Sequence, residues 1–151
     1  MIMPSFRLGG APTLPPAFPM DRVPALPPDL TGHTVMVVED EGLVALDIEM
    51  ALEEAGAVVT GPYLTLPEAV TVIAGGARPD AVVLDVNIGG EMVWPLARTL
   101  AERGVPFLFH TANGDVREIA EGFPGVTVCR KPVRLEALVA AVADVLRPRD
   151  A

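Results

Sequence analysis

At 151 residues and 50% hydrophobic, the chain carries enough apolar side chain for one packed core and too little length for two comfortable domains. A formal net charge of −9 with no Lys/Arg-rich run argues against a surface built to neutralise nucleic-acid phosphates or to lie on an anionic membrane. No apolar run approaches the roughly 18 residues of a spanning helix, and no charged-then-apolar export signal opens the chain, so a cytoplasmic protein is expected.

Residues Met1 to Thr31 hold eight of the sixteen prolines and show neither helical nor strand period. Such a segment is expected to be a disordered or polyproline-like tail, either a docking arm or a dispensable start, with the folded domain over 32–148. From Thr34 onward, short apolar runs alternate with stretches of helical period, the pattern of βαβ units. Val35 to Val38 reads as a first strand buried on both faces. A helix over Leu43–Ala55 follows, with Leu43, Leu46, Met50 and Leu52 expected near its inner face and Gly56 as its stop.

Ala57 to Thr60 reads as a second strand ended by Gly61-Pro62, and Thr65 to Ala74 as a second helix ended by Gly75-Gly76. Ala81 to Leu84 is a third strand running into Asp85; a helix over about Met92–Arg103 leads to strand four, Val105 to Phe109, continuing to Thr111. Asn113-Gly114, Gly122, Pro124 and Gly125 leave room for only a short helix near Val116–Glu121, so this part is expected to be irregular. Val126 to Cys129 is strand five, on which the single cysteine, Cys129, reads as a small buried filler. Leu135 to Leu146 is the last helix. The resulting class is α/β, a flavodoxin-like doubly wound sheet of five parallel strands in the order 2-1-3-4-5, with a degenerate fourth helix.

In that architecture the functional crevice lies beyond the carboxyl ends of the strands. Those ends carry Glu39-Asp40-Glu41, Asp85, Thr111 and Lys131-Pro132. Clustered carboxylates repel one another unless a cation holds them, and hard oxygen ligands suit Mg²⁺. A carboxylate beside such a cation and a fixed ammonium is a competent nucleophile toward phosphorus, with Asp85 the best placed candidate and Lys131 and Thr111 able to neutralise the transferring oxygens. Each residue also has a plain structural role as a cap, a strand residue or the start of a turn. Their shared position on one side of one sheet singles them out.

The stretches Val-Val-Glu39-Asp40-Glu41, Val-Leu-Asp85-Val-Asn87, Phe-His-Thr111-Ala112 and Arg-Lys131-Pro132, in this order, resemble the signature of response-regulator receiver domains over about Thr34 to Leu146. The resemblance implies that Asp85 is the phosphoacceptor, that Asp40 binds Mg²⁺ directly, that Glu39 assists through water, and that the Asn87 main-chain carbonyl completes the protein's share of the metal shell. It also implies that Lys131 pairs with a phosphoryl oxygen and that Thr111 moves inward in the active state. Such a domain catalyses only its own phosphorylation and dephosphorylation.

Some positions depart from the family pattern. Val128 stands three residues before Lys131, where most receivers carry the aromatic half of a switch; the loop Val86 to Glu91 looks shortened; the fourth helix looks eroded. These departures resemble the single-domain FAT GUY-type subfamily of alphaproteobacteria, often linked to HWE-type histidine kinases, although His110 and Ala112 differ from its Phe-Ala-Thr-Gly motif. His110 reads as packing or solvent-facing ahead of the alternative that it tunes the site.

Only Arg147 to Ala151 follow the last helix, so output through a partner is expected: a histidine kinase that supplies phosphate, and a phosphotransfer protein or an inhibited kinase. A monomer or weak homodimer is expected. A phosphorylation-independent pseudo-receiver is the alternative, though it has no need of Glu39, Asp40, Asp85, Thr111 and Lys131 together. A HAD-type phosphatase wants an Asp at the position of Asn87, and the Gly pairs at 75-76 and 89-90 fit no nucleotide-binding pattern. Asn87 and Asn113 sit where side chains could gate attacking water.

Overall fold

A computed structural model describes residues 26–112 and 115–148. Most of the Pro-rich stretch, and Asn113 with its expected gating role, lie outside the described residues.

Five strands, β1 (Thr34–Val38), β2 (Val58–Tyr63), β3 (Ala81–Asp85), β6 (Phe107–Thr111) and β7 (Val128–Arg130), pair in parallel in the order β2-β1-β3-β6-β7. This is the expected 2-1-3-4-5 once a small hairpin, β4 (Asn87–Ile88) with β5 (Glu91–Met92), is set aside. The strands read as unbroken apolar runs because both faces are covered. Met36, Val82, Leu84, Phe109 and Val128 pack toward α2 (Leu66–Ala74), α3 (Trp94–Glu102) and α4 (Val116–Gly122). Val35, Val37, Val83, Leu108 and Cys129 pack toward α1 (Gly42–Glu54) and α5 (Leu135–Leu146). Successive residues of a strand face opposite sides, so each run feeds both layers.

Three expectations are corrected. Helix α1 buries Ala45, Ile48 and Leu52, whereas Leu43, Leu46 and Met50 are 81%, 47% and 52% exposed. Both sets recur at i, i+3 and i+7, so the helix has two apolar stripes, and periodicity alone cannot say which one faces the sheet. Strand β2 does not stop at Gly61-Pro62 but runs through it to Tyr63, with a register shift against β1 between Met36 and Val38. Gly61, at φ 88°, supplies the left-handed turn, and a Cβ there would meet the Tyr63 amide. The loop after Asp85 is the β4–β5 hairpin, so α3 begins at Trp94 rather than Met92.

The segment just before residue 32 takes part in the fold. Leu30 is fully buried among the α1 and α5 side chains, and its amide donates to the Ala55 carbonyl at 2.7 Å. The eroded fourth helix is borne out as the seven-residue α4. Val128 is buried beside Phe109 and Phe123, and Trp94, Phe107, Phe109 and Phe123 form one aromatic cluster on this face.

Candidate phosphoryl and metal site

Glu39, Asp85, His110 and Lys131 each lie two positions after a strand residue of the α1/α5 layer, namely Val37, Val83, Leu108 and Cys129. The two-residue period therefore brings all four to one corner of the sheet. Backbone bonds fix the corner: the Glu39 amide donates to the Tyr63 carbonyl at 3.1 Å, and the Lys131 amide to the Thr111 carbonyl at 2.7 Å. The extension of β2 through Gly61-Pro62 is what delivers that Tyr63 carbonyl.

Lys131 Nζ stands 3.1 Å from both Asp85 Oδ2 and Glu39 Oε1, and 3.5 Å from Glu41 Oε1. Glu39 is wholly buried and Asp85 nearly so. Carboxylate oxygens of Glu39, Asp40 and Asp85 all lie within 4.8 Å of one another. Asp40 Oδ2 accepts from the Gly89 amide at 2.9 Å, which ties the cluster to the hairpin, and Asn87 Oδ1 accepts from Gly90 at 2.8 Å.

Burial, and then the neighbouring Glu39, push the Asp85 carboxyl well above the ordinary range, against the pull of Lys131. Burial would raise Glu39 too, but His110, Asp85 and Lys131 hold it low. Desolvation works to lower Lys131, and Asp85 and Glu39 outweigh it, so the ammonium is held more firmly. Three carboxylates against one ammonium leave an anionic pocket of oxygen donors, a donor set that fits a hard divalent cation. Burial of Cys129 pushes its thiol up to about 12, consistent with an inert filler.

The expected site residues divide in two. Glu39, Asp40, Asp85 and Lys131 are brought together, with Asn87 two residues past Asp85 on the hairpin. Thr111 is buried at the end of β6, but its hydroxyl donates to Asp115 Oδ2 at 3.0 Å. It follows Phe109 on the other face of the sheet, which explains why it does not point to Lys131. One residue was missed and a second was underweighted. Asp115 shows no signal beyond its place four positions after Thr111. His110 is buried, with Nδ1 3.6 Å from Glu39 Oε1 and its Cα paired with Asp85 across β3 and β6. Counting two positions on from Leu108 would have put it beside the acids.

No family model matches the chain. Phyllosphere-induced regulator PhyR of Methylorubrum extorquens is 32% identical over 83 residues, 52% of this chain, and the chain spans only 30% of that relative's length. A response regulator receiver protein from Burkholderia phymatum is 33% identical with a TM-score of 0.66, covering 76% of this chain and 94% of that one. Another, from Sinorhizobium medicae, is 26% identical with a TM-score of 0.68 over 76% and 94% of the two chains. The chain belongs to the response-regulator receiver family. Among the described residues, no helix is long and apolar enough to cross a membrane.

Proposed function

We propose that the chain is a phosphoryl-accepting signalling receiver of two-component or phosphorelay type, acting in the cytoplasm, with Asp85 as the acceptor. The observation that carries this reading is the convergence of Lys131 Nζ, at 3.1 Å, on both Asp85 and Glu39 beside the three-carboxylate cluster. Glu39, Asp40, Asp85 and the Asn87 main-chain carbonyl would hold Mg²⁺. When bound, the ion supplies the positive charge that keeps Asp85 ionised and screens an anionic phosphodonor.

The chain's own residues do the rest. An Asp85 oxygen attacks phosphorus, the bond to the donor's leaving group breaks with the electron pair on that group, and an acyl phosphate forms on Asp85. Lys131, already fixed between Asp85 and Glu39, pairs with a phosphoryl oxygen. Thr111 leaves Asp115 and turns its hydroxyl to the phosphoryl group. Water later cleaves the acyl phosphate, so the only chemistry catalysed is the domain's own phosphorylation and its reversal.

The donor would be a histidine kinase of HWE type, and a phosphotransfer protein is a second partner. The face formed by α4, β7 and α5 would read the change out to a protein, not to nucleic acid. Incubation with Mg²⁺ and acetyl phosphate followed by intact mass tests the reading. A hydroxylamine-labile phosphoryl adduct on wild type and none on Asp85→Ala is expected; no adduct, or an equal one on the variant, refutes it and leaves the phosphorylation-independent binding module.

A further inference from the structure

A histidine is out of place at residue 110 if the position serves packing alone. The preceding residue on the same face, Leu108, belongs to the α1/α5 core, and His110 itself is only 4% exposed. A buried imidazole needs partners for its nitrogens, yet among the described residues Nδ1 has no well-formed hydrogen bond. Nδ1 lies 3.6 Å from Glu39 Oε1, a donor in the appropriate tautomer beside an acceptor. Glu39 Oε1 therefore has two polar neighbours, the imidazole at 3.6 Å and Lys131 Nζ at 3.1 Å.

We infer that His110 is a positioning residue for the acidic cluster, holding Glu39 Oε1 by its Nδ1–H so that Glu39 faces the cation and Lys131 stays available to Asp85. The inference rests on the metal reading given above. Lys131 is shared between Glu39 and Asp85, and whatever a second donor does for Glu39 releases the ammonium for Asp85. With that donor removed, the fully buried Glu39 has only Lys131 to satisfy Oε1. The carboxylate then turns to the lysine and away from Asp40 and Asp85. Groups that orient a metal ligand from behind in this way commonly set metal affinity without touching the ion.

Two substitutions separate positioning from packing. His110→Leu fills the buried strand position with an apolar side chain and removes the donor. His110→Asn places an amide nitrogen on Cγ, where Nδ1 is, but fills the space less well. A packing role ranks Leu above Asn; a positioning role ranks Asn above Leu for the metal. The full chain is titrated with Mg²⁺ alone by calorimetry, with Asp40→Asn as the loss-of-cluster control, and folding is followed separately by circular dichroism and thermal melting.

Wild type is expected to bind Mg²⁺, His110→Leu to bind roughly tenfold more weakly while melting no lower than wild type, and His110→Asn to stay near the wild-type affinity. Equal affinity in wild type and His110→Leu overturns the positioning role and leaves the metal reading standing. Equal losses in the Leu and Asn variants overturn it as well. A wild type that binds no Mg²⁺ overturns the metal reading, and the role of His110 with it.

Discussion

The Thr111 hydroxyl donates to Asp115 Oδ2 at 3.0 Å, so the residue expected to meet a phosphoryl group is held by a carboxylate four positions further on. A hydroxyl proton cannot serve two acceptors in different directions, so under the proposed function this bond breaks before one to a phosphoryl group forms. A net value of about 1 kcal/mol for such a bond corresponds to roughly a fivefold bias toward the held state. Asp115→Ala should therefore reach its activated conformation at a lower concentration of beryllofluoride, an acyl-phosphate mimic, by about that factor. Trp94, the only tryptophan and in contact with Phe109 and Phe123 on the Thr111 side, reports the change by fluorescence. An unaltered titration in Asp115→Ala would show that the bond holds nothing back.

The raised carboxyl of Asp85 makes stability depend on pH in a definite sense. Burial first, and Glu39 second, push it up to about 7 in the metal-free protein. The folded state therefore holds the Asp85 proton more tightly than the unfolded chain does. That stabilisation is complete below the ordinary carboxylate range and is lost as pH rises through neutral. Glu39 has the opposite sense in another window: its stabilisation is present above the ordinary carboxylate range and is lost only as pH falls toward about 2. Between about pH 5 and about pH 8 without divalent cations, the melting temperature of wild type should fall relative to Asp85→Asn, which cannot titrate. Mg²⁺ should flatten the difference by favouring the ionised form. A metal-free difference that stays level across this range would mean Asp85 is ionised throughout.

Much of this site follows from a rule of two. Val37, Val83, Leu108 and Cys129 share a layer, and stepping two residues from each reaches Glu39, Asp85, His110 and Lys131. The fold is legible for the same reason, because buried parallel strands appear as short apolar runs. What stays hidden has no local signal. Strands β4 and β5 are two residues each, below the length at which alternation can be seen. Helix α1 offers two apolar stripes of equal spacing, and contact with the sheet chooses between them. The passage of β2 through Gly61-Pro62 depends on pairing with β1, a partner distant in sequence.

Leu30 shows the same limit at the domain edge, since six prolines precede it within sixteen residues and nothing local marks it as core. Its full burial against α1 and α5, and the bond from its amide to Ala55, make it a strut at the end of α1. Leu30→Ala should cost roughly 2–5 kcal/mol in urea unfolding, as for other buried leucines. Leu26→Ala, at an exposed neighbour, should cost almost nothing. Equal and negligible effects would set the domain edge after Thr31.

Lys131 is the most connected group of the site, and its removal separates stability from function. Lys131→Met keeps the apolar stem and deletes the ammonium that stands 3.1 Å from Asp85 and Glu39. Two buried carboxylates then face each other without their cation, which should cost the metal-free protein roughly 1–3 kcal/mol. The lysine side chain retains some solvent access, so the loss falls short of that for a fully buried pair. Because the pocket has lost a positive charge, Mg²⁺ should now stabilise the variant more than it does wild type. Yet no ammonium remains for the phosphoryl oxygens, so the adduct from acetyl phosphate should form far more slowly. Thermal melting with and without Mg²⁺, together with intact mass over time, checks both halves. A variant phosphorylated at the wild-type rate would remove Lys131 from the chemistry and leave it a purely structural counter-charge.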